Sequence, residues 1–283
     1  MIHIENLTKN YTNFTLQLSF DLPEGKVSGL VGKNGAGKST TIKAILGLIK
    51  RNGGKVEVFG KDVSDMTAAD KENIGVALSD SGFSGYLTVE NVIDILKNMY
   101  HCFDEPMFRQ LCQVLNLPLD KKIKEFSTGM KAKLRVVTAI THNAKLLIMD
   151  EPTSGLDIEA RTEILDILRD YLVKNDDCSI LITSHISSDL EGLCDDIYLI
   201  HDGKILIHED TDNILEKYGL MKVDAERYEK LDKSHILSTR KESFGYSCFT
   251  DEKQYYRENY PGIVIEKGSI DDLILMMTKG ETA

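Results

Sequence analysis

The stretch GKNGAGKS, residues 32 to 39, constrains this chain more than any other. It follows the short apolar run KVSGLV and opens into TIKAILGLIK, so a strand runs through a glycine-rich turn into a helix. Glycines let the backbone curl until its N–H groups point at one anion, and the helix N-terminus adds its dipole at the same place. The pattern G-x-x-x-x-G-K-[ST] puts Gly32, Asn34, Gly35 and Gly37 in the loop. It brings Lys38 within reach of β- and γ-phosphates, turns the Ser39 hydroxyl toward Mg²⁺, and leaves Thr40 one step into the helix. Such a loop implies an α/β fold whose strand ends line a ligand crevice.

Two further strand ends carry chemistry. LLIMDEP, residues 146 to 152, is almost continuously apolar, as a buried parallel strand should be, and ends in Asp150 and Glu151. A carboxylate at the tip of a strand beside a phosphate loop can hold Mg²⁺ directly or through water, and Glu151 can polarise a water for attack on the γ-phosphate. Alone, such a pair would read as solvated acids capping a strand; the upstream loop reverses that weighting. His185 ends ILITSH, the next buried strand, and can reach the γ-phosphate or the attacking water. An isolated histidine in that position would be an ordinary surface residue.

The remaining pattern sets the organisation. FTLQLSFDL alternates like a half-buried strand, the turn PEG follows, and RNGG breaks the first helix before the strand KVEVFG. Residues 87 to 142 are mostly helical, with apolar spacings of three and four in TVENVIDILKNMY and FRQLCQVLNL. IEARTEILDILRDYLVK is another helix. Beyond IYLIHDGKILI the composition shifts: a helix-like TDNILEKYGL, an aromatic- and charge-rich middle, and a capped helix at SIDDLILMM. Residues 1–207 therefore form a nucleotide-binding domain with a helical part at about 85–142, and 208–283 a small α+β accessory domain without phosphate motifs. That domain is expected to be dispensable for nucleotide binding.

The formal net charge of -11 argues against nucleic acid or anionic membrane as a broad partner. Five scattered cysteines without a C-x-x-C pair suit a reducing compartment and neither a metal site nor a disulfide framework. No export signal is expected from MIHIENLTKNYT, and no apolar run approaches the ~20 residues of a membrane span. A role at a membrane would then need a separate spanning chain.

One stretch, KEFSTGMKAKL, remains. Ser127 and Gly129 offer a hydroxyl and a free N–H at a helix start, a second anion site in the same chain. Taken with GKNGAGKST, LLIMDE, SGLD (154–157) and SH (184–185), the order and spacing of FSTGM resemble the ATP-binding-cassette (ABC) ATPases over residues 2 to 207. The resemblance implies a RecA-like core with an antiparallel β subdomain and an inserted helical subdomain, binding ATP and Mg²⁺. It implies a head-to-tail dimer in which Ser127 and Gly129 meet the γ-phosphate held by the other chain, Asp157 lies at the seam, and Tyr11 stacks on adenine. It also implies a membrane permease as partner, the second cassette being identical or different, at the cytoplasmic face of a bacterial membrane.

The chain departs from that family's commonest pattern twice. FSTGM stands for L-S-G-G-Q, which keeps the phosphate-touching serine and second glycine; S-T-G-M is similar to exporters of drugs, antibiotics and amphipathic peptides, including phenol-soluble-modulin-type exporters. The family's loop glutamine is missing: IGVALSDSGFSGYLTVEN puts Ser79 or Asp80 there, and Asp80 is taken as a candidate Mg²⁺ ligand. A regulatory or soluble cassette with little turnover is the alternative reading, and it rests on that missing glutamine.

Overall fold

A computed structural model of the chain describes residues 1–280. The first layer is an antiparallel sheet. Strands β1 (Ile2–Tyr11) and β2 (Phe14–Leu22) form a hairpin; past β3 (Val27–Val31) and helix α1 (Lys38–Ile45), β4 (Gly53–Val58) and β5 (Lys61–Asp62) complete the order β2-β1-β4-β5. In β2 the alternation buries Leu16, Leu18, Phe20 and Leu22 and exposes the residues between them, as period two requires. Helix α1 stops earlier than TIKAILGLIK suggests, because Gly47 turns left-handed at φ 66° two residues past Ile45.

The second layer is the central sheet. After the short α2 (Ala68–Lys71) comes β6 (Ile74–Ala77), followed by the helices α3 (Val89–Met99), α4 (Glu105–Val114) and α5 (Thr128–Ile140). Then β7 (Leu146–Asp150), α6 (Ile158–Lys174), β8 (Ser179–Thr183), α7 (Ser187–Glu191), β9 (Asp196–His201) and β10 (Lys204–Asp210) alternate. The sheet order is β10-β9-β3-β8-β7-β6, with β3 parallel to β8 and β9 and an antiparallel β10 at the edge. Every residue of β3, β7 and β8 is buried, which is why these strands read as unbroken apolar runs. The carboxyl ends of these three strands lead into the phosphate loop, Glu151 and His185. Strand β6 is too short to give a periodic signal and was not foreseen.

The chain continues through α8 (Thr211–Lys217), β11 (Gly219–Val223), α9 (Ala225–Lys230), β12 (Ile236–Glu242), β13 (Gly245–Thr250), α10 (Lys253–Asn259), β14 (Val264–Lys267) and α11 (Ile270–Lys279). A third, antiparallel sheet has the order β12-β13-β11-β14. It owns a small core around Met221, Val223, Cys248 and Tyr256. Yet Ile214, Tyr218, Phe249, Ile270, Leu273 and Met276 belong to the same continuous core as Val31, Met149 and Ile182. The extension is therefore packed into the nucleotide-binding body through α8 and α11. Helix α11 is tied at both ends. Asp271 accepts from Ser187 Oγ at 2.8 Å, Glu191 accepts from Ile270 N–H at 3.2 Å, and at the far end the Thr278 carbonyl accepts from Lys33 Nζ at 3.2 Å. Lys33 sits in the phosphate loop, so its ammonium also meets the negative end of the helix dipole. Among the described residues, no helix is long and apolar enough to cross a membrane.

Candidate nucleotide-binding site

The phosphate loop turns between β3 and α1 because two glycines have no alternative. Gly37 sits at φ 117°, where an L side chain is strained, and at Gly32 a Cβ would stand 2.2 Å from the Ile200 carbonyl oxygen. Lys38 starts α1 and is 7% exposed. Its ammonium donates to the carbonyls of Gly32 at 2.7 Å and Lys33 at 3.3 Å. Burial pushes its pKa down, and the nearby Glu151 and Asp150 carboxylates oppose that shift.

Asp150 ends β7 and is 4% exposed. Three hydroxyls converge on it: Thr183 at 2.8 Å, Ser79 at 3.0 Å and Ser39 at 3.3 Å. These hydroxyl donors satisfy the oxygens of a carboxylate taken out of water. The resulting set of oxygens suits a hard cation held by one carboxylate, hydroxyls and substrate phosphates. Among the described residues there is no cluster of three or more His, Cys, Asp or Glu side chains that could hold a metal by itself.

Glu151 has φ 54°, a left-handed conformation in a non-glycine residue. Such a conformation costs on the order of 1–3 kcal/mol and persists only where its surroundings enforce it. Its N–H donates to the Thr183 carbonyl and hydroxyl, each at 3.1 Å, and its carboxylate accepts from His185 N–H at 3.2 Å and bonds the His185 ring at Nδ1. The two residues thus meet at adjacent strand ends. They close one side of a cavity of about 700 Å³ whose floor is Asn34, Gly35, Gly37, Lys38, Ser39 and Thr40. Ser79 and Ser154 add hydroxyls to the wall. At the mouth stand Tyr11, 47% exposed, and Phe14, their ring centroids 6.3 Å apart. Phe14 escaped the sequence reading, although KNYTNF carries both aromatics.

Asp80 lies elsewhere than expected. It points at Lys43 of α1, 2.6 Å away, and its side chain is 58% exposed. The Lys43 ammonium holds its carboxyl below the usual range. The physical reason is charge: next to Asp150 a second carboxylate would meet repulsion, while Lys43 offers the opposite sign. Ser79 is the residue of that loop that faces Asp150.

Ser127, Gly129 and Asp157 do not join this cavity. They line a separate concavity of about 390 Å³ with Thr128 and Leu156. Ser127 caps α5 by accepting from Met130 N–H at 3.1 Å, and Asp157 caps α6 by accepting from Ala160 N–H at 2.9 Å. A side chain at Gly129 would sit 3.0 Å from Leu156, so glycine lets the two caps lie together.

A phosphate loop after one parallel strand, with a histidine after the neighbouring strand and two acids at the end of the strand beyond it, defines a nucleoside-triphosphatase of the P-loop class. The family model described as "ABC transporter" matches residues 16–154. The lantibiotic transport ATP-binding protein SrtF of Streptococcus pyogenes is 33% identical over 215 residues, covering 75% of this chain and 92% of that protein. The bacitracin transport ATP-binding protein BcrA of Bacillus licheniformis is 33% identical over 210 residues, 73% of this chain and 68% of its own. A solved ATP-binding subunit of an ABC transporter superposes with a TM-score of 0.68 at 27% identity, over 76% of this chain and 91% of its own. A dimeric cassette bound to ADP and Pi, 20% identical with a TM-score of 0.66, shares the fold. The chain belongs to the ABC transporter family, as one of its ATP-binding ATPase subunits.

Proposed function

We propose that this chain powers export of an antibiotic or an amphipathic antimicrobial peptide through a separate membrane permease, using Mg-ATP held between two cassettes. The observation that carries the reading is the split of the site: phosphate loop and FSTGM line two separate concavities, so one chain holds two half-sites. In a head-to-tail pair, Ser127 and Gly129 of one copy cover the γ-phosphate bound to Lys38 of the other. The similarity to lantibiotic and bacitracin transport proteins supports the class of cargo. The chain sits at the cytoplasmic face of a bacterial membrane, peripheral through the permease.

Within the site, Gly32 to Thr40 hold the phosphates, Lys38 carries their charge, and Tyr11 with Phe14 packs on the base. Ser39 and Asp150 would hold Mg²⁺, with Ser79 in place of the loop glutamine, and the cation would supply charge neutralisation to the phosphates. Glu151 accepts a proton from, or polarises, the attacking water, and His185 orients Glu151 through their hydrogen bond. Closure around ATP pulls the helical part and the attached permease into one state, and hydrolysis releases them.

The test is the half-site. Ser127→Arg fills the second concavity and leaves the first untouched. ATP affinity should stay within about threefold, while ATP-dependent dimerisation in light scattering and phosphate release are lost. A variant that still dimerises on ATP removes the basis of the reading.

A further inference from the structure

Asp189 is a buried carboxylate, 2% exposed, that the reaction itself does not use. It lies four residues after His185, on the short helix α7. One oxygen accepts from the Thr153 hydroxyl at 2.6 Å, and the other pairs with Arg161 Nη2 at 2.5 Å. Thr153, itself 1% exposed, follows Glu151 by two residues. Arg161 stands in the first turn of α6, directly behind Asp157, and its Nε is buried without a hydrogen-bond partner. Three segments distant in sequence thus meet on one side chain. Each is adjacent to a residue of one of the two half-sites.

The backbone adds a second observation. Glu151 is held left-handed, and the turn after it is pinned from two sides: Ser154 N–H donates to the Glu151 carbonyl at 3.1 Å, and Thr153 is tied to Asp189. The Glu151 N–H bonds to Thr183 fix where this turn starts, and the Thr153 bond to Asp189 fixes where it leaves. The Thr153 bond and the strain therefore belong to one arrangement.

We propose that Asp189 is a positioning residue for ATP turnover, locking the Glu151 turn to the His185 helix and, through Arg161, to the Asp157 end of α6. It makes one rigid unit of the catalytic edge of the first half-site and the rim of the second. Movement at the surface offered to the other copy is thereby transmitted to Glu151. The inference rests on the proposed role of Glu151, and the experiment separates the two.

The full-length chain is assayed for phosphate release as Thr153→Val, Thr153→Ser, Asp189→Asn, the Thr153→Val/Asp189→Asn pair, and Glu151→Gln. Rates are normalised to the folded fraction from circular dichroism. Valine keeps the shape of Thr153 and removes only the hydroxyl. Thr153→Val and Asp189→Asn should lower kcat about 10- to 100-fold, the range of a sub-ångström to ångström misplacement, with KM for ATP within about threefold. Thr153→Ser should recover the parent rate within about threefold, and the double variant should lose less than the product of the two single losses, since both substitutions act on the shared Thr153–Asp189 contact while Asp189→Asn also weakens the Arg161 pair. If Asp189→Asn does not fold, the Thr153 pair still decides. Parent-like kcat in Thr153→Val, or a change in KM alone, with Glu151→Gln inactive, overturns the role of Asp189 and leaves the site standing. A fully active Glu151→Gln overturns both.

Discussion

Replacing Lys38 by alanine measures what the phosphate loop contributes to ground-state binding. The ammonium is not idle without nucleotide: it already bonds the carbonyls of Gly32 and Lys33. On the proposed role, binding ATP would exchange these two contacts for two with phosphate oxygens, so the full strength of the new bonds would not be gained. A hydrogen bond to a charged partner contributes about 1.5–3 kcal/mol net. Counting the exchange as the net gain of one such bond, the loss is about 1.5–3 kcal/mol, or roughly 10- to 150-fold in Kd. Without exchange, two bonds would give about 3–6 kcal/mol and a loss beyond 10⁴-fold at the upper end. Equilibrium titration with a fluorescent ATP analogue in the presence of Mg²⁺ distinguishes these ranges, with a thermal melt confirming the fold. An unchanged Kd would refute the phosphate-loop role of Lys38, and a loss beyond 10³-fold would refute the exchange argument.

Three other perturbations have definite outcomes. Glu151→Gln keeps the shape and loses the charge, so it should bind Mg-ATP, hydrolyse it very slowly, and accumulate as an ATP-bound dimer in light scattering; near-parent turnover contradicts its role. Ser79→Ala should raise the Mg²⁺ concentration for half-maximal activity several-fold while Asp80→Ala, whose carboxylate is spent on Lys43, overlays the parent; the reverse order would restore Asp80 as the cation's neighbour. Burial pushes the thiols of Cys112, Cys178 and Cys248 up to about 12 and that of Cys194 well above its ordinary value, whereas Cys102 is exposed. Below those values the buried thiols stay protonated, so a disulfide reagent at pH 8 should titrate one cysteine fast in the native protein and five in denaturant; two fast native thiols would contradict this packing.

Much of this was legible in the sequence because the chemistry is local there. The phosphate loop is eight consecutive residues flanked by its own strand and helix, and β7 and β8 announce themselves as apolar runs ending in Asp150, Glu151 and His185. What escaped depends on partners far along the chain. Nothing near Asp80 shows that Lys43, on another element, will neutralise it. Asp189 lies in no sequence motif, and its partners Thr153 and Arg161 stand 36 and 28 residues away along the chain. The extension reads as a small accessory domain because its sequence changes character, and in the fold its Ile270, Leu273 and Met276 share a core with Val27. Composition registers such a shift; it does not register which surface an amphipathic helix covers.

That last helix sets a distance. Ten residues of α11 make a strut about 15 Å long, with one end on Lys33 of the phosphate loop and the other on Ser187 and Glu191, just past His185. The phosphate loop and the segment after His185, which lead into the two lips of the cavity, are thus bridged from outside by one rod. Any preference that nucleotide has for one spacing of the lips is then a preference about how the rod is seated. By thermodynamic reciprocity, seating the rod changes nucleotide affinity by the same factor. In that case a segment with no phosphate-binding residue of its own enters the binding constant for ATP, against the expectation that it is dispensable.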